Sequence, residues 1–139
     1  MRIIHGTVKS GYGAASANLN PVLRLVESRT GMASLVEGTL NVQIAQAYMV
    51  IPTASILPHE YPLNLATRLN ETIKLQRCVI RGHKAIIMRP DTHETGMFHG
   101  PKHLELMGAV KFRQVLRLDD GAAIDIEVEG DDAWWAVAI

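Results

Sequence analysis

Cysteine is nearly absent: Cys78 stands alone in 139 residues. One thiol cannot form an intramolecular disulfide, and a chain without disulfides is expected in the reducing cytoplasm. Net charge is lacking too, with 14 basic residues against 14 acidic ones. A dedicated nucleic-acid binder normally carries a basic excess, and an acidic tail carries the opposite, so neither class is expected. Long apolar runs are missing. Runs such as Ala47 to Ile51 fall far short of the ~20 residues that span a bilayer. The opening Met1-Arg2-Ile3-Ile4-His5-Gly6 turns polar at once, so no secretory leader and no membrane contact are expected. There is no Gly-x-x-x-x-Gly-Lys-Ser/Thr phosphate loop. Repeats and low-complexity linkers are absent as well, and residues 1–139 read as one domain.

What is present is a series of short alternating segments and one capped helix. Apolar residues make up 47% of the chain, enough for an ordinary globular core. Ile3 to Val8 reads as a strand that stops at a glycine-containing loop, Ser10 to Asn20. Asn20 as N-cap, Pro21 at the first helical position and Gly31 just past the end predict a helix over Asn20 to Thr30. Val22, Leu23, Leu25 and Val26 form its apolar face. Thr39 to Ile44 and Tyr48 to Ile51 read as strands, and Leu63 to Leu69 as a short helix. Thr72 to Arg81 alternates, with Ile73, Leu75, Arg77 and Val79 on one side. Gly82 then turns the chain into a hairpin with Lys84 to Met88. Leu104 to Met107 reads as a strand, Val110 to Leu116 as a helical turn, and Ala122 to Glu129 as a strand with one buried and one acidic face. Trp134 to Ile139 is expected to add a last strand, with its tryptophans packed inward. Many short strands beside one main helix predict a mainly β fold, a compact barrel rather than an alternating parallel sheet.

Three segments in order carry a family resemblance. They are Gly6-Thr7-Val8-Lys9-Ser10-Gly11-Tyr12-Gly13, then Glu37-Gly38-Thr39-Leu40-Asn41-Val42, and then Leu104-Glu105-Leu106 through Lys111-Phe112-Arg113 to Leu116-Arg117-Leu118-Asp119-Asp120-Gly121. Together the chain resembles the CTP-dependent riboflavin kinases of archaea. The resemblance implies a small closed six-stranded β-barrel of the cradle-loop type. It implies an enzyme that moves a phosphoryl group from CTP to the ribityl 5′-hydroxyl of riboflavin, giving FMN.

The residues suit that chemistry. Phosphoryl transfer needs a cradle of backbone N–H groups, a divalent cation and a positioned hydroxyl. The loop Gly11, Tyr12, Gly13, Ala14, Ala15, Ser16, Ala17 is the expected phosphate cradle, because glycine lets the backbone approach an anion closely. Thr39 and Asn41, two apart on a strand, share one face and offer hard neutral oxygens. The resemblance assigns them Mg²⁺. It also assigns nucleotide contacts to Lys111, Phe112 and Arg113, and the acceptor to Glu105, which faces away from Leu104 and Leu106.

Two departures from the family pattern stand out. After Gly13 the family continues with glutamate, glycine and an aromatic, whereas this chain has Ala14-Ala15-Ser16-Ala17. The family threonine eight residues before the glutamate is replaced by Met97, leaving Thr92 and Thr95 as candidate substrate contacts. His93, His99 and His103 share one loop with Glu94, but their spacing matches no strong metal-ligand pattern. Two alternatives therefore stand beside the kinase. One is a non-catalytic barrel that binds a nucleotide or flavin as a sensor. The other is a DNA-binding barrel sharing the Asp-Gly hairpin, which would need a basic face.

Overall fold

The computed structural model describes residues 2–10, 22–36, 38–60, 72–91, 100–128 and 134–137. Strand β1 (Arg2–Lys9) is followed by helix α1 (Leu23–Thr30), β2 (Leu40–Ile44), the short β3 (Ala54–Ile56), the hairpin β4 (Ile73–Ile80) and β5 (His83–Pro90), β6 (His103–Gly108), helix α2 (Phe112–Val115) and β7 (Ala123–Val128). The sheet runs β3-β4-β5-β6-β2-β1-β7, and β7 returns to β4 through the pair Val79↔Glu127. Six antiparallel strands thus close into a barrel, with β3 added outside at the β4 edge. Closure removes the exposed edges that an open sheet would carry.

Alternation places one side of each strand inside. Val8, Val42, Ile44, Ile80, Ile87, Leu104, Leu106, Ile124 and Ile126 fill the interior with Cys78, whose thiol burial pushes well above its ordinary pKa. A second apolar layer lies on the outer wall. There α1 lays Leu23 and Val26 over Ile56, Ile73, Leu75, Ile86, Met88 and Met107. This explains why β4 does not keep a single buried side. Ile73 and Leu75 are covered from outside, whereas Gln76, Cys78 and Ile80 are covered from inside. The expected uniform alternation through Arg77 and Val79 fails because the helix covers only one end of the strand.

Other boundaries also moved. The helix begins at Leu23, with Val22 in a non-helical conformation at its cap, and Asn20 and Pro21 lie outside the described residues. Gly31 ends it as expected, in the left-handed region (φ 83°) with its N–H bonded to the Glu27 carbonyl. Arg77 Nε donates to the Thr30 carbonyl at 2.7 Å and the guanidinium stacks on Trp134 and Trp135, so a cation tethers the helix C-terminus to the barrel. Arg81 and Gly82, both at positive φ, make the hairpin turn. Tyr48 to Ile51 is not a strand; Tyr48 and Val50 are buried, and the Tyr48 hydroxyl bonds Gln76 at 2.7 Å. Trp134 and Trp135 lie in a helical turn rather than a strand, with Trp134 buried and Trp135 lying over Gly31. The predicted helix at Leu63 to Leu69 lies outside the described residues.

Candidate functional site

The link from α1 to β2 sets the site. The Val36 N–H donates to the Gly108 carbonyl at 3.0 Å, which draws Gly38 and Thr39 against the end of β6. Gly38 adopts φ 98°, a conformation costly for any other residue, and from it the chain enters β2. Across from it, β6 ends at Gly108 and the chain turns into α2. A Cβ at position 108 would collide with the Phe112 ring and come 3.2 Å from the Lys84 carbonyl, so only glycine lets α2 pack this closely. Between the two walls lies a cleft of about 380 Å³. Its lining includes Gly38, Thr39, Lys111, Phe112 and Arg113, so it brings together two of the sequence segments singled out for function.

Thr39 lies just before β2 and Asn41 within it, and both are half-buried. On the neighbouring strand Glu105 pairs directly with Asn41. The Thr39 hydroxyl donates to Glu105 Oε1 at 3.4 Å, a long bond. Asn41 Oδ1 accepts from His103 Nε2 at 3.0 Å. Thr39, Asn41, His103 and Glu105 therefore form one polar patch on the outer face of the β2–β6 pair, continuous with the cleft through Thr39. Glu105 is only 5% exposed, and burial pushes its carboxyl from the ordinary 4.5 up to about 7. The Thr39 hydroxyl and the Arg89 guanidinium pull weakly the other way. Two oxygen donors beside a buried carboxylate form a hard donor set, which fits a divalent cation such as Mg²⁺.

Lys111, Phe112 and Arg113 divide their roles. Lys111 is exposed at the cleft, and Phe112 is buried against Gly108. Arg113 is committed elsewhere. It pairs with Asp120 Oδ1 and reaches the Leu118 carbonyl at 3.3 Å. Ser10, at the mouth of the glycine loop, donates to the other Asp120 oxygen at 2.7 Å. Arg113 and Ser10 hold the Asp120 carboxyl below its usual range. The backbone adds Gly121 N–H to Val8 carbonyl at 2.7 Å and Val8 N–H to Ala122 carbonyl at 2.8 Å. The Asp-Gly turn thus fastens the loop entrance to α2. The loop residues Gly11 to Ala17 themselves, like Thr92 and Thr95, lie outside the described residues.

Sequence reasoning missed three contributors. Arg89, fully buried, plugs one end of the barrel and donates to the carbonyls of Tyr48 at 2.7 Å and His103 at 3.1 Å. His103, expected in a polar loop, is buried in β6 beside Asn41. Gly108 falls between the expected strand Leu104 to Met107 and the expected helical turn from Val110. No local pattern marks Arg89 and His103, because their partners lie on segments distant in sequence. Among the described residues no cluster of three or more His, Cys, Asp or Glu is placed to hold a metal, and His93 and His99 lie outside them.

Fold and cleft define a small closed barrel with a cleft between the start of β2 and the turn into α2. Residues 8–128 match the CTP-dependent riboflavin kinase family, which carries the description domain of unknown function DUF120. The match covers most of the chain, and the chain belongs to that family. No match was found among curated proteins.

Proposed function

We propose that the chain is a Mg²⁺-dependent kinase that transfers the terminal phosphoryl group of CTP, or of a related nucleotide, to the 5′-hydroxyl of riboflavin. The observation that carries this reading is the position of Thr39. It lines the cleft beside Lys111 and Arg113 and touches the buried Glu105. In this reading Thr39 and Asn41 hold the cation, which supplies charge neutralisation on the phosphates. The Gly11 to Ala17 loop and Lys111 bind the phosphates, while Asp120 keeps loop and α2 in register. Glu105 accepts the proton of the acceptor hydroxyl, and a pKa near neutrality suits a base working near pH 7. Thr92 or Thr95 completes the acceptor site. Among the described residues no helix is long and apolar enough to cross a membrane.

One observation favours a second reading. Ala14-Ala15-Ser16-Ala17 replaces the glutamate, glycine and aromatic of the family loop, which suits a barrel that binds nucleotide or flavin without turnover. Calorimetry with CTP and Mg²⁺, with riboflavin, and with both tests occupancy. The kinase reading predicts binding of each, and a chain that binds neither contradicts both readings. Turnover separates them.

A further inference from the structure

His103 is 1% exposed, and its place is fixed by more than its own side chain. Its carbonyl accepts from the buried Arg89 at 3.1 Å, and its N–H donates to the Gly100 carbonyl at 3.3 Å. Its backbone stands opposite Gln43 in the β2–β6 ladder. From there Nε2 reaches Asn41 Oδ1 at 3.0 Å. An amide oxygen can only accept, so the ring nitrogen donates. A planar amide has two in-plane lone pairs on its oxygen. A donor fixed on one of them holds the plane and leaves the other for a second partner. Without that donor the Asn41 side chain is free to turn and present its NH₂ group, which repels a cation.

We propose that His103 is a positioning residue for the cation: its Nε2–H holds Asn41 with the amide oxygen, not the nitrogen, available to Mg²⁺. This rests on the reading of Asn41 as a cation ligand. Outer partners of metal ligands act in this way, and their loss typically weakens metal binding by about 10- to 100-fold.

The test is calorimetric titration of CTP at fixed Mg²⁺ and without Mg²⁺, with no acceptor present and so no turnover. His103→Phe is expected to lose about tenfold or more of the Mg²⁺-dependent affinity and none of the Mg²⁺-independent part. His103→Gln, which restores an N–H donor at similar reach, is expected to recover most of it. Asn41→Ala is the control for the underlying reading. If Asn41→Ala leaves the Mg²⁺ dependence intact, the cation site is elsewhere and the proposal falls with it. If Asn41→Ala abolishes the dependence while His103→Phe binds as well as wild type or tighter, His103 is idle or competes with the cation, and the proposal alone is overturned. Should His103→Phe fail to fold, long-range ¹H–¹⁵N spectra of the wild-type imidazole decide. The proposal requires a protonated Nε2 in the Mg²⁺·CTP complex, and a deprotonated Nε2 overturns it.

Discussion

The Thr39 hydroxyl lies 3.4 Å from Glu105 Oε1, so a residue on the cleft wall touches the buried carboxyl of the neighbouring strand. In the kinase reading the contact links the nucleotide side of the site to the acceptor side. It is too long to offset the burial of Glu105, which is why the carboxyl stays well above its ordinary pKa.

In the kinase reading Glu105 is a base with a pKa near 7, and it sets the pH dependence of the reaction. Below that value Glu105 is protonated and cannot accept the hydroxyl proton. The turnover rate is expected to rise with pH up to about 7 and then level off. Glu105→Gln should lose the pH dependence together with about 10²-fold or more of the rate. A Glu105→Gln variant with the wild-type pH profile removes Glu105 from the chemistry.

The same burial has the opposite effect on stability. The folded-state pKa, about 7, lies above the ordinary 4.5, so the folded state favours the protonated form. The contribution of Glu105 to stability is present in full below about 4.5 and is lost as pH rises through about 7. At about 1.4 kcal/mol per pH unit, the loss is on the order of 3 kcal/mol. Urea unfolding of wild type and Glu105→Gln between pH 4.5 and 8 checks this. The difference between the two curves should widen in favour of the glutamine variant as pH rises, and parallel curves contradict the assigned burial.

The fold was legible where local signals and tertiary packing agree. The Gly31 helix end, the Gly82 hairpin and the Ile124, Ile126, Val128 alternation all appear as read, because each is decided within a few residues. Tyr48 to Ile51 misled because an apolar run is buried equally well without a ladder. Trp134 misled because a tail packs by filling a gap, here beside Arg77 and Lys84, which its own sequence does not encode. The candidate site was legible at Thr39, Asn41 and Glu105 through the family resemblance alone. The contact of His103 with Asn41 was hidden, because the two lie 62 positions apart and only strand pairing brings them together.

Asp120 joins loop and helix from an exposed position, so its removal should leave the fold intact. Asp120→Ala is expected to leave the melting temperature near wild type and to weaken nucleotide binding severalfold, because Ser10 and Arg113 lose their common anchor. Arg113→Ala should mimic it. If Arg113→Ala costs far more than Asp120→Ala, Arg113 contacts the nucleotide directly, as the family resemblance implies.

The altered loop should relax base choice. Backbone N–H groups hold phosphate whatever the side chain, so affinity for the triphosphate survives. Ala17 offers almost no stacking surface where the family has an aromatic residue. One base–aromatic stack contributes about 1–3 kcal/mol, or roughly 5- to 150-fold in affinity. Competition of CTP against ATP and GTP is expected to show little preference. A strong preference for CTP that persists in Tyr12→Ala places base recognition outside this loop.

Formation of FMN is the direct test of the central claim. Purified chain is incubated with riboflavin, CTP and Mg²⁺, and the flavins are separated and quantified over time. The account predicts FMN and CDP in equal amounts over many turnovers, abolished by chelating the cation and strongly reduced in Glu105→Gln. Tight binding of riboflavin and nucleotide with no FMN, under conditions where both are bound, contradicts a kinase and leaves the binding barrel as the function.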